Sequence, residues 1–558
     1  MPYKKDSLNI LVIVLFVLFL SLPFINKAVH IDDTVFLYMA KQILKDPLRP
    51  YSFNLDWSVY SGMAIFVADP PLVPYYISII MKIFGQNEMI IHLSFVVFPL
   101  AAALSMYYIS KKFTKNPLFA TLFLVTGVVF VVMSHDLMLD IPFLALFLLS
   151  VALFIYGVDS GRKGMLLAGA VFCGFAYLAK YTGIAVFPVL GMYTILRKKP
   201  KYAFYLSIPA MMALSWNFYT YKVYGVFHNV QILGWLLGSQ GSFSFQAPII
   251  RLATNMTYIG GAMVFPLMLL HPFIKEKINR IASLVIGAFA LAASIILYKI
   301  SANFSYRYNA PQLALFWLFF SLGIFVFYLI ARRIFGVLAK AIKEKRFNEM
   351  LNEEYSSSIF LFSWLSIVFL LNTFFAGGAA RYATILVPPI AIFYFNIVEN
   401  YKFFSKKTFK KFVMAGIALS AVLSAVVAYA DYEYAGAYRN FSQSAWKYEN
   451  GNKIWFAGHH GFQYYMENEG YTILKPSDNS PKKGDIIIRA KIPSPRAISP
   501  LLAKRLALMD TVSYEGSIPL RIHNPKARAG FYTFGSGFLP YSFSNASLED
   551  FEVFRVVG

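Results

Sequence analysis

The stretch LNILVIVLFVLFLSLPFINKAVHIDDTVFLYMAKQIL, residues 8–44, decides the fold class. Its first part is an apolar run of the length that a helix needs to cross a bilayer core of about 30 Å. A short basic flank precedes this run, as in a signal peptide, but no small-x-small cleavage site follows it. We therefore expect a retained first transmembrane helix. Two adjacent carboxylates, Asp32 and Asp33, then open the amphipathic stretch TVFLYMAKQIL.

The composition of the whole chain is typical of a polytopic membrane protein. Its 558 residues are 58% hydrophobic and only 14% charged, whereas soluble domains carry about 25% charged residues. The single cysteine, Cys173, excludes an intrachain disulfide. Apolar runs predict about thirteen transmembrane helices, near residues 8–26, 89–110, 117–134, 139–157, 165–179, 182–196, 202–221, 252–273, 281–300, 310–332, 358–376, 382–399 and 412–430.

The charges between these runs predict the orientation of the chain. With the N-terminus in the cytoplasm, the cytoplasmic loops would be KKFTKN, DSGRKG, RKKPK, KEKINR, ARRIFGVLAKAIKEKRFNEM and YKFFSKKTFKKF. Every one of them is basic, and Lys and Arg are retained on the cytoplasmic side. The opposite loops are acidic. This distribution explains the net charge of +23 without nucleic acid as a partner.

The C-terminal part of the chain changes character after residue 430. Long apolar runs give way to Gly, Pro and short segments, of which NKIWFAG, YTILKP, GDIIIRA and FYTFGS predict strands. HGFQYYMENEG predicts a helix that ends at a glycine. We therefore predict a transmembrane domain at 1–430, with an outer loop at 27–88, and a small outer α/β domain at 431–558.

Further acids lie in the predicted outer loops. Asp69 is held extended by the two prolines that follow it. Asp136 and Asp140 are four residues apart in SHDLMLDIPF, which would place both on one helical face. Acids at a membrane rim are costly, which makes them candidate functional groups. A structural explanation remains open, because carboxylates also favour helix N-termini.

Three cations lie on the same predicted side, namely Lys180 in YLAKYTGIAVFP, Arg307 in FSYRYNAPQ and Arg381 in GGAARYATILVPP. A cation at a helix N-terminus opposes the helix dipole, so an anionic ligand would explain the two arginines. For Lys180, snorkelling is the alternative. Carboxylates suit a general base or a divalent metal, and these cations suit a phosphate. The combination predicts chemistry on a lipid phosphate.

In their order and sidedness, these motifs resemble the membrane-embedded GT-C glycosyltransferases that use lipid-phosphate sugars. That superfamily includes the protein O-mannosyltransferases and the lipid A aminoarabinose transferase, families 39 and 83. HIDDTVFLYMAKQIL is similar to the acidic segment of their first outer loop, and HDLMLDIPFLALFLLSVALFIYG to their second acidic segment. LAKYTGIAVFP resembles their Lys-bearing turn, and RYATILVPP the Arg-Tyr element that meets the lipid phosphate. ADPPLVPYYISIIMKIFGQNE departs from the family, because Ala68 and Asp69 replace its Glu and its His or Lys.

The resemblance implies the fold and an inverting sugar transfer from a polyprenyl-phosphate carrier to a lipid, glycan or protein acceptor. It makes Asp32, Asp33 and Asp140 the candidate catalytic residues: Asp32 would deprotonate the acceptor, and Asp33 stands where Glu is more usual. Asp140 would position the acceptor or a metal ion. The donor phosphate would be bound by basic and aromatic side chains: Lys180, Arg307, Arg381 and Tyr382.

The sugar or the acceptor would contact the remaining polar and aromatic side chains of the outer loops: Asp56, Trp57, Tyr60, Asp69 and Asp136. No cofactor is certain from the sequence, and a divalent metal ion at Asp69 and Asp140 is the one candidate. His459 and His460 are not expected to share a metal, because adjacent residues of a strand point to opposite faces. Membrane lipids are the remaining partners. We expect a bacterial inner membrane with the C-terminal domain in the periplasm; an archaeal surface membrane would give the same topology.

Two other functions remain open. A secondary transporter of an anionic substrate would also place acids in a helical bundle. Against it, no inverted repeat is visible and the acids lie in outer loops. A lipid-carrier-dependent ligase would share the outward-facing site, but the paired aspartates favour sugar transfer.

Overall fold

The computed structural model describes residues 2–57, 60–239, 246–270, 277–301, 306–343, 353–375, 378–399, 406–449, 451–492 and 495–558. The described chain is mostly helical. Its helices are α1 Pro2–Ser21, α2 Asp33–Lys45, α3 Leu72–Phe84, α4 Glu88–Phe95, α5 Val97–Phe113, α6 Pro117–Val125, α7 Val128–Met133, α8 Asp140–Ser160, α9 Lys163–Ala179, α10 Val186–Leu196, α11 Ser207–Tyr224, α12 His228–Ser239, α13 Gln246–Ala262, α14 Val264–Leu270, α15 Lys277–Ile300, α16 Ala310–Lys343, α17 Glu353–Phe375, α18 Val387–Glu399, α19 Lys406–Ser444, α20 His460–Asn468 and α21 Pro500–Ala503.

The apolar helices confirm an integral membrane protein. Within the described ranges, seven are long and apolar enough to cross a membrane: Lys5–Phe24, Glu88–Phe113, Asp140–Ser160, Ile278–Ile300, Ala310–Lys340, Tyr355–Phe374 and Lys407–Tyr448. The predicted count of thirteen is not confirmed. The run at 117–134 is divided at Gly127 into two short helices. The runs at 165–179 and 182–196 also correspond to helices shorter than a bilayer requires.

Glycines allow two of the helices to cross closely. A Cβ at Gly260 of α13 would lie 1.8 Å from the Phe319 carbonyl oxygen of α16. In the opposite direction, a Cβ at Gly323 would lie 2.0 Å from the Met256 carbonyl oxygen. Small residues at helix interfaces permit this backbone approach in membranes. Larger side chains at either position would separate the two helices.

The C-terminal region forms a five-stranded sheet in the order β4-β3-β5-β11-β6. β3 pairs in parallel with β4 and β5, and β11 pairs antiparallel with β5 and β6. Two-stranded pairs complete the strand set. The strands are β1 Asn54–Trp57, β2 Tyr60–Met63, β3 Ile454–Ala457, β4 Thr472–Ile473, β5 Ile486–Ala490, β6 Leu506–Tyr514, β7 Leu520–Arg521, β8 His523–Asn524, β9 Ala529–Gly530, β10 Ser542–Phe543 and β11 Glu549–Val556.

Most of the local predictions for this region are confirmed. NKIWFAG, YTILKP and GDIIIRA contain β3, β4 and β5, and HGFQYYMENEG forms α20, which is followed by Gly470 at φ +86°. The prediction of a strand at FYTFGS is wrong, since residues 534–536 form a 3-10 turn. The aromatic residues of this segment suggested a strand. Phe531 and Tyr532 are indeed buried, but in an irregular segment.

The predicted division at residue 430 falls inside a continuous helix. α19 runs from Lys406 to Ser444, and its Asp431 is fully buried. The region after α19 packs on the first outer loop: a Cβ at Gly461 would lie 2.1 Å from the Val29 carbonyl oxygen. The Tyr465 hydroxyl accepts a hydrogen bond from the Val29 N–H at 2.9 Å. The two predicted domains are therefore in direct contact.

Candidate active site

The chain turns sharply at Ile31, directly before the paired aspartates. Ile31 has a φ of +46°, which is a genuine outlier for a β-branched residue. The Asp33 N–H donates to the His30 carbonyl oxygen at 3.1 Å, and the His30 N–H donates to Asp33 Oδ2 at 3.4 Å. α2 begins at Asp33, as predicted. Because of this turn, the adjacent carboxylates of Asp32 and Asp33 have different partners.

Asp32 belongs to a group of charged side chains that the sequence analysis had singled out. Arg381 Nη1 donates to Asp32 Oδ2 at 2.6 Å. Beside this pair, Lys180 Nζ donates to Asp140 Oδ1 at 2.8 Å. The Tyr382 ring contacts both cations, with its centroid 4.5 Å from Lys180 Nζ and 5.1 Å from Arg381 Cζ. Together with Asp69, described next, these side chains form the Asp32 cluster: Asp32, Asp69, Asp140, Lys180, Arg381 and Tyr382.

Asp69 is linked to this group by its electrostatics. Burial raises the pKa of Asp69 to about 6; the charge of Lys180 opposes this shift, while Asp32 and Asp140 add to it. Burial also acts to raise the pKa of Asp32, but the charge of Arg381 prevails and holds that pKa below its usual value. The carboxylates of one cluster are thus tuned in opposite directions. Carboxyl groups whose pKa values are shifted by burial and by nearby charges are typical of active sites.

Two side chains of the Asp32 cluster are partly exposed. The Asp32 side chain is 25% exposed and that of Arg381 11%. A small cavity of about 20 Å³ adjoins Arg381, Asp140 and Lys180, with room for about one water molecule. Its lining consists of Asp140, Phe143, Leu144, Lys180, Thr182, Leu371, Asn372, Arg381, Tyr382, Thr384 and Ile385.

Asp33 belongs to a second, closed group. Lys27 Nζ donates to both Asp136 Oδ1 and Asp431 Oδ2. The Tyr532 hydroxyl lies 3.1 Å from Asp136 Oδ2 and 2.8 Å from Asp431 Oδ2. His30 Nε2 lies 3.2 Å from Asp431 Oδ1, while His30 Nδ1 lies 3.5 Å from Asp33 Oδ2. We call these residues the Lys27 cluster: Lys27, His30, Asp33, Asp136, Asp431 and Tyr532.

Four members of the Lys27 cluster were missed by the sequence analysis: Lys27, His30, Asp431 and Tyr532. Lys27 and Asp431 are 404 residues apart, so no local spacing signals their contact. The predicted shared helical face of Asp136 and Asp140 is wrong, because α8 begins only at Asp140 and the preceding residues form a bend. Asp136 therefore joins the closed group and Asp140 the open one.

The Lys27 cluster contains a possible set of metal ligands. His30, Asp33 and Asp136 offer ligand atoms that lie within 4.8 Å of one another. Burial and Lys27 oppose protonation of His30, but Asp431 and Asp33 outweigh them and raise its pKa to about 9. A histidine must be neutral to bind a metal ion, and the Lys27 ammonium already pairs with Asp136 Oδ1. These donors fit a metal ion poorly. In the described part of the chain, Asp69 and Asp140 are not part of a three-ligand group.

The remaining predicted residues do not take part in the ion pairs of the Asp32 cluster. Asp56 and Trp57 belong to the β1–β2 hairpin, where Asp56 Oδ1 lies 3.5 Å from Arg496 Nη2 and the Trp57 ring lies 4.8 Å from that of His460. The Tyr60 hydroxyl donates to the Met63 carbonyl oxygen in the same hairpin.

Arg307 and the two histidines also differ from their predicted settings. Arg307 is exposed before α16, and among the described residues it forms no ion pair with the Asp32 cluster. His459 and His460 lie at the N-terminus of α20, where the prediction had placed them on a strand. The reason for excluding a shared metal there, opposite faces of a strand, therefore does not apply.

The comparison with protein families agrees with the earlier resemblance. A model described as dolichyl-phosphate-mannose-protein mannosyltransferase matches residues 68–219. The match confirms the resemblance to the GT-C glycosyltransferases. The matched region contains Asp69, Asp136, Asp140 and Lys180. No curated protein sequence matches the chain.

Among solved structures, the chain is similar to the Archaeoglobus fulgidus oligosaccharyltransferase in its apo form, with a TM-score of 0.47, 11% identity and coverage of 83% of this chain. It spans 64% of that protein's length. It is also similar to ArnT from Cupriavidus metallidurans bound to undecaprenyl phosphate, with a TM-score of 0.39, 14% identity and coverage of 91% of this chain and 96% of that one.

Proposed function

We propose that this protein transfers a sugar from a polyprenyl-phosphate carrier to an acceptor on the outer face of a membrane, with inversion at the anomeric carbon. One observation carries the proposal: the carboxylate of Asp32 is paired with Arg381 directly beside the Asp140–Lys180 pair. A general base needs a carboxylate at the reacting centre. A departing phosphate needs cations at the same place.

In the proposed reaction, Asp32 takes the proton from the acceptor hydroxyl or amine as that atom attacks the anomeric carbon. The bond between this carbon and the phosphate oxygen breaks, and its electron pair leaves with the polyprenyl phosphate. Arg381 and Lys180 stabilise the charge that develops on the phosphate. The Tyr382 ring, which contacts both cations, fixes their position.

The ion pair of Asp32 implies that donor binding activates the base. While Arg381 is bound to Asp32, its charge holds the Asp32 pKa low and makes this carboxylate a weak base. A phosphate is a competing partner for the same guanidinium, because Arg binds phosphate well. When the donor draws Arg381 towards its phosphate, the affinity of Asp32 for a proton rises. The base would thus become effective only when the donor is in place.

The remaining assignments are further parts of this proposal. Asp69 and Asp140 would orient the acceptor, and a divalent metal at these two residues is a further proposal. The Asp32 cluster would lie on the outer side of a bacterial inner membrane, with the N-terminus in the cytoplasm. The C-terminal domain would then be periplasmic.

The test is transfer of radiolabelled sugar from synthetic polyprenyl-phosphate donors by the full-length protein in lipid nanodiscs. Asp32→Asn keeps the size of the side chain but removes the base, and we expect turnover to fall by about 10²–10⁴-fold. Donor binding should persist. Asp46→Asn is the matched control, since Asp46 lies in the same outer loop at the other end of α2. Failure of the wild type to consume any donor, or full activity of Asp32→Asn, would overturn the proposal.

Metal dependence is tested in the same assay. Turnover is compared after treatment with EDTA and after addition of Mg²⁺ or Mn²⁺. Restoration by a metal in the wild type, with a weaker response in Asp69→Asn, would support a metal at Asp69 and Asp140. Full turnover in EDTA would exclude it.

A further inference from the structure

A second polar site lies where the β1–β2 hairpin meets the C-terminal domain. The rings of Trp57 and His460 are 4.8 Å apart and nearly perpendicular. On the adjacent residue of the hairpin, Asp56 Oδ1 lies 3.5 Å from Arg496 Nη2. His459 precedes His460, with ring centroids 6.0 Å apart. Side chains of the β1–β2 hairpin and of the C-terminal domain thus converge at one place.

This site contains several buried polar atoms that have no hydrogen-bond partner: Asp56 Oδ1, His459 Nδ1, His460 Nδ1, Gln463 Oε1, Arg496 Nε and Arg496 Nη1. Arg496 is only 3% exposed, so bulk water does not satisfy its guanidinium. Buried polar groups in folded proteins are almost always paired, and each unpaired one costs about 1–3 kcal/mol. Six such atoms on neighbouring residues indicate that the site is completed by a polar ligand.

The chemistry of these atoms selects the class of ligand. Arg496 offers N–H donors, whereas the free oxygens of Asp56 and Gln463 accept hydrogen bonds. The charges of Arg496 and Asp56 balance each other. An anion would use only the donors and would be repelled by Asp56. Sugar hydroxyls both donate and accept, and the Trp57 ring offers an apolar surface for the face of a pyranose.

The site adjoins the Asp32 cluster. The electrostatic partners of Asp32 include His460 as well as Arg381. Gly461, the next residue, packs so closely on the segment before Asp32 that a Cβ there would lie 2.1 Å from the Val29 carbonyl oxygen. A sugar held at Trp57 and Arg496 would therefore lie beside the proposed base.

We propose that the acceptor is a neutral glycan whose terminal sugar binds between the β1–β2 hairpin and the C-terminal domain, in contact with Asp56, Trp57, Gln463 and Arg496. This inference rests on the proposed function, because it assigns the acceptor of that reaction. It gives the C-terminal domain a direct role in substrate recognition. His459 and His460 supply the remaining polar contacts through their Nδ1 atoms.

Binding is measured first, without turnover. The full-length protein in nanodiscs is titrated with methyl glycosides and neutral oligosaccharides of mannose, glucose, galactose and N-acetylglucosamine, followed by tryptophan fluorescence and calorimetry. We expect at least one of these probes to bind, and Arg496→Gln to weaken it by about tenfold or more, as expected for loss of a buried hydrogen-bond donor. Arg489→Gln is the matched control, because Arg489 is paired with Glu552 on the sheet of the same domain.

Measurements of turnover then distinguish a failure of the glycan site from a failure of the proposed sugar transfer. We expect Arg496→Gln to raise the KM for the glycan acceptor, and Arg489→Gln to leave both this KM and the turnover at their wild-type values. Glycan binding without consumption of any donor would overturn the proposed function and leave the glycan site standing. Donor consumption with an unchanged acceptor KM in Arg496→Gln would overturn the glycan site. Binding of inorganic phosphate or of a peptide at Arg496, with none of the glycans bound, would also overturn it.

A second variant keeps the test valid if Arg496→Gln does not fold. Trp57→Leu lies on the half-buried hairpin and leaves the ion pair of Asp56 and Arg496 in place. It should abolish the ligand-induced fluorescence change and weaken glycan binding. Unchanged affinity in Trp57→Leu would contradict the proposed stacking of the sugar.

Discussion

The Asp32 cluster and the Lys27 cluster begin at adjacent aspartates, yet they differ in access. Asp32 is 25% exposed, whereas the side chains of Lys27 and Asp136 are 1% and 0% exposed. In the open cluster each cation has one carboxylate partner, and a cavity adjoins the group. In the closed cluster one ammonium serves two carboxylates. The open cluster can exchange partners with a ligand, but the closed one cannot do so without leaving a buried charge unpaired.

The comparison teaches that one strained turn can separate two roles. With φ +46° at Ile31, the consecutive side chains of Asp32 and Asp33 diverge into the open cluster and the closed cluster. The strain costs about 1–3 kcal/mol and persists only where surrounding contacts enforce it. The hydrogen bonds between His30 and Asp33 are such contacts.

The largest expected effect is a separation of activity from stability at the two adjacent aspartates. Asp32→Asn should lower turnover by about 10²–10⁴-fold with little change in Tm, because Asp32 is partly exposed. Asp33→Asn should lower Tm and leave the turnover of the folded fraction near the wild-type value. Thermal unfolding and sugar transfer are measured on the same preparations. Equal loss of turnover in both variants would show that the clusters do not have separate roles.

Removal of the central cation should be the largest change in stability. Lys27→Met leaves the carboxylates of Asp136 and Asp431 buried without their cation, which costs about 3–5 kcal/mol. Adding Asp136→Asn and Asp431→Asn should recover much of the loss, because the repelling charges are then gone. Lys82→Met on the exposed side of α3 is the control. A Tm for Lys27→Met equal to that of this control would mean that the network contributes no stability.

A substitution at Gly461 tests the contact between the C-terminal domain and the segment that contains Val29. Gly461→Ala should destabilise the protein by about 1–3 kcal/mol, because the added Cβ meets the backbone oxygen of Val29 at 2.1 Å. It should also lower turnover, since this segment lies beside Asp32. Gly436→Ala is the matched control in α19, where a Cβ meets nothing within 4 Å, and it should be neutral or slightly stabilising. Equal Tm values for the two variants would rule out close packing at Gly461.

The smallest expected effect concerns pH. Burial raises the pKa of Asp69 to about 6 in the folded protein, so the folded state binds this proton more tightly than the unfolded chain does. The resulting stabilisation is complete below about pH 4 and is lost as the pH rises through 6. Asp69→Asn should lack this loss, which we expect to be about 1–3 °C in Tm. Parallel Tm profiles of wild type and variant between pH 4 and 7 would contradict the raised pKa.

The sequence contained enough information for the elements and for much of the Asp32 cluster. Asp32, Asp140, Lys180 and Arg381 each stand at an end of an apolar run on the same predicted side, so sidedness alone places them near one another. The contacts of the C-terminal domain were harder to predict. Tyr532 lies in a segment whose aromatic pattern suggests a strand, and its contact with His30 bridges 502 residues of sequence.

The sequence also did not reveal that Asp33 and Asp136 belong to the Lys27 cluster. Which way each side chain points depends on the backbone turn at Ile31 and on the bend before α8. No glycine or proline marks the turn at Ile31, and Pro142 marks only the first turn of α8 and not the direction of the bend before it. Arg307 shares the sequence context of Arg381 but not its surroundings, because a charge beside a helix start does not specify which helices become neighbours.

The long-range contacts of the Lys27 cluster also set an order of events during biosynthesis. Lys27 and His30 leave the ribosome early. Asp431 follows Lys27 by 404 residues, and Tyr532 follows His30 by 502 residues. Until these late segments arrive, the ammonium of Lys27 has only Asp136 as an acidic partner within its cluster. The contacts of His30 with Asp431 and Tyr532 can therefore form only after both late segments have been made. A chain that stops before residue 431 leaves His30, which lies next to the turn at Ile31, without both of these contacts.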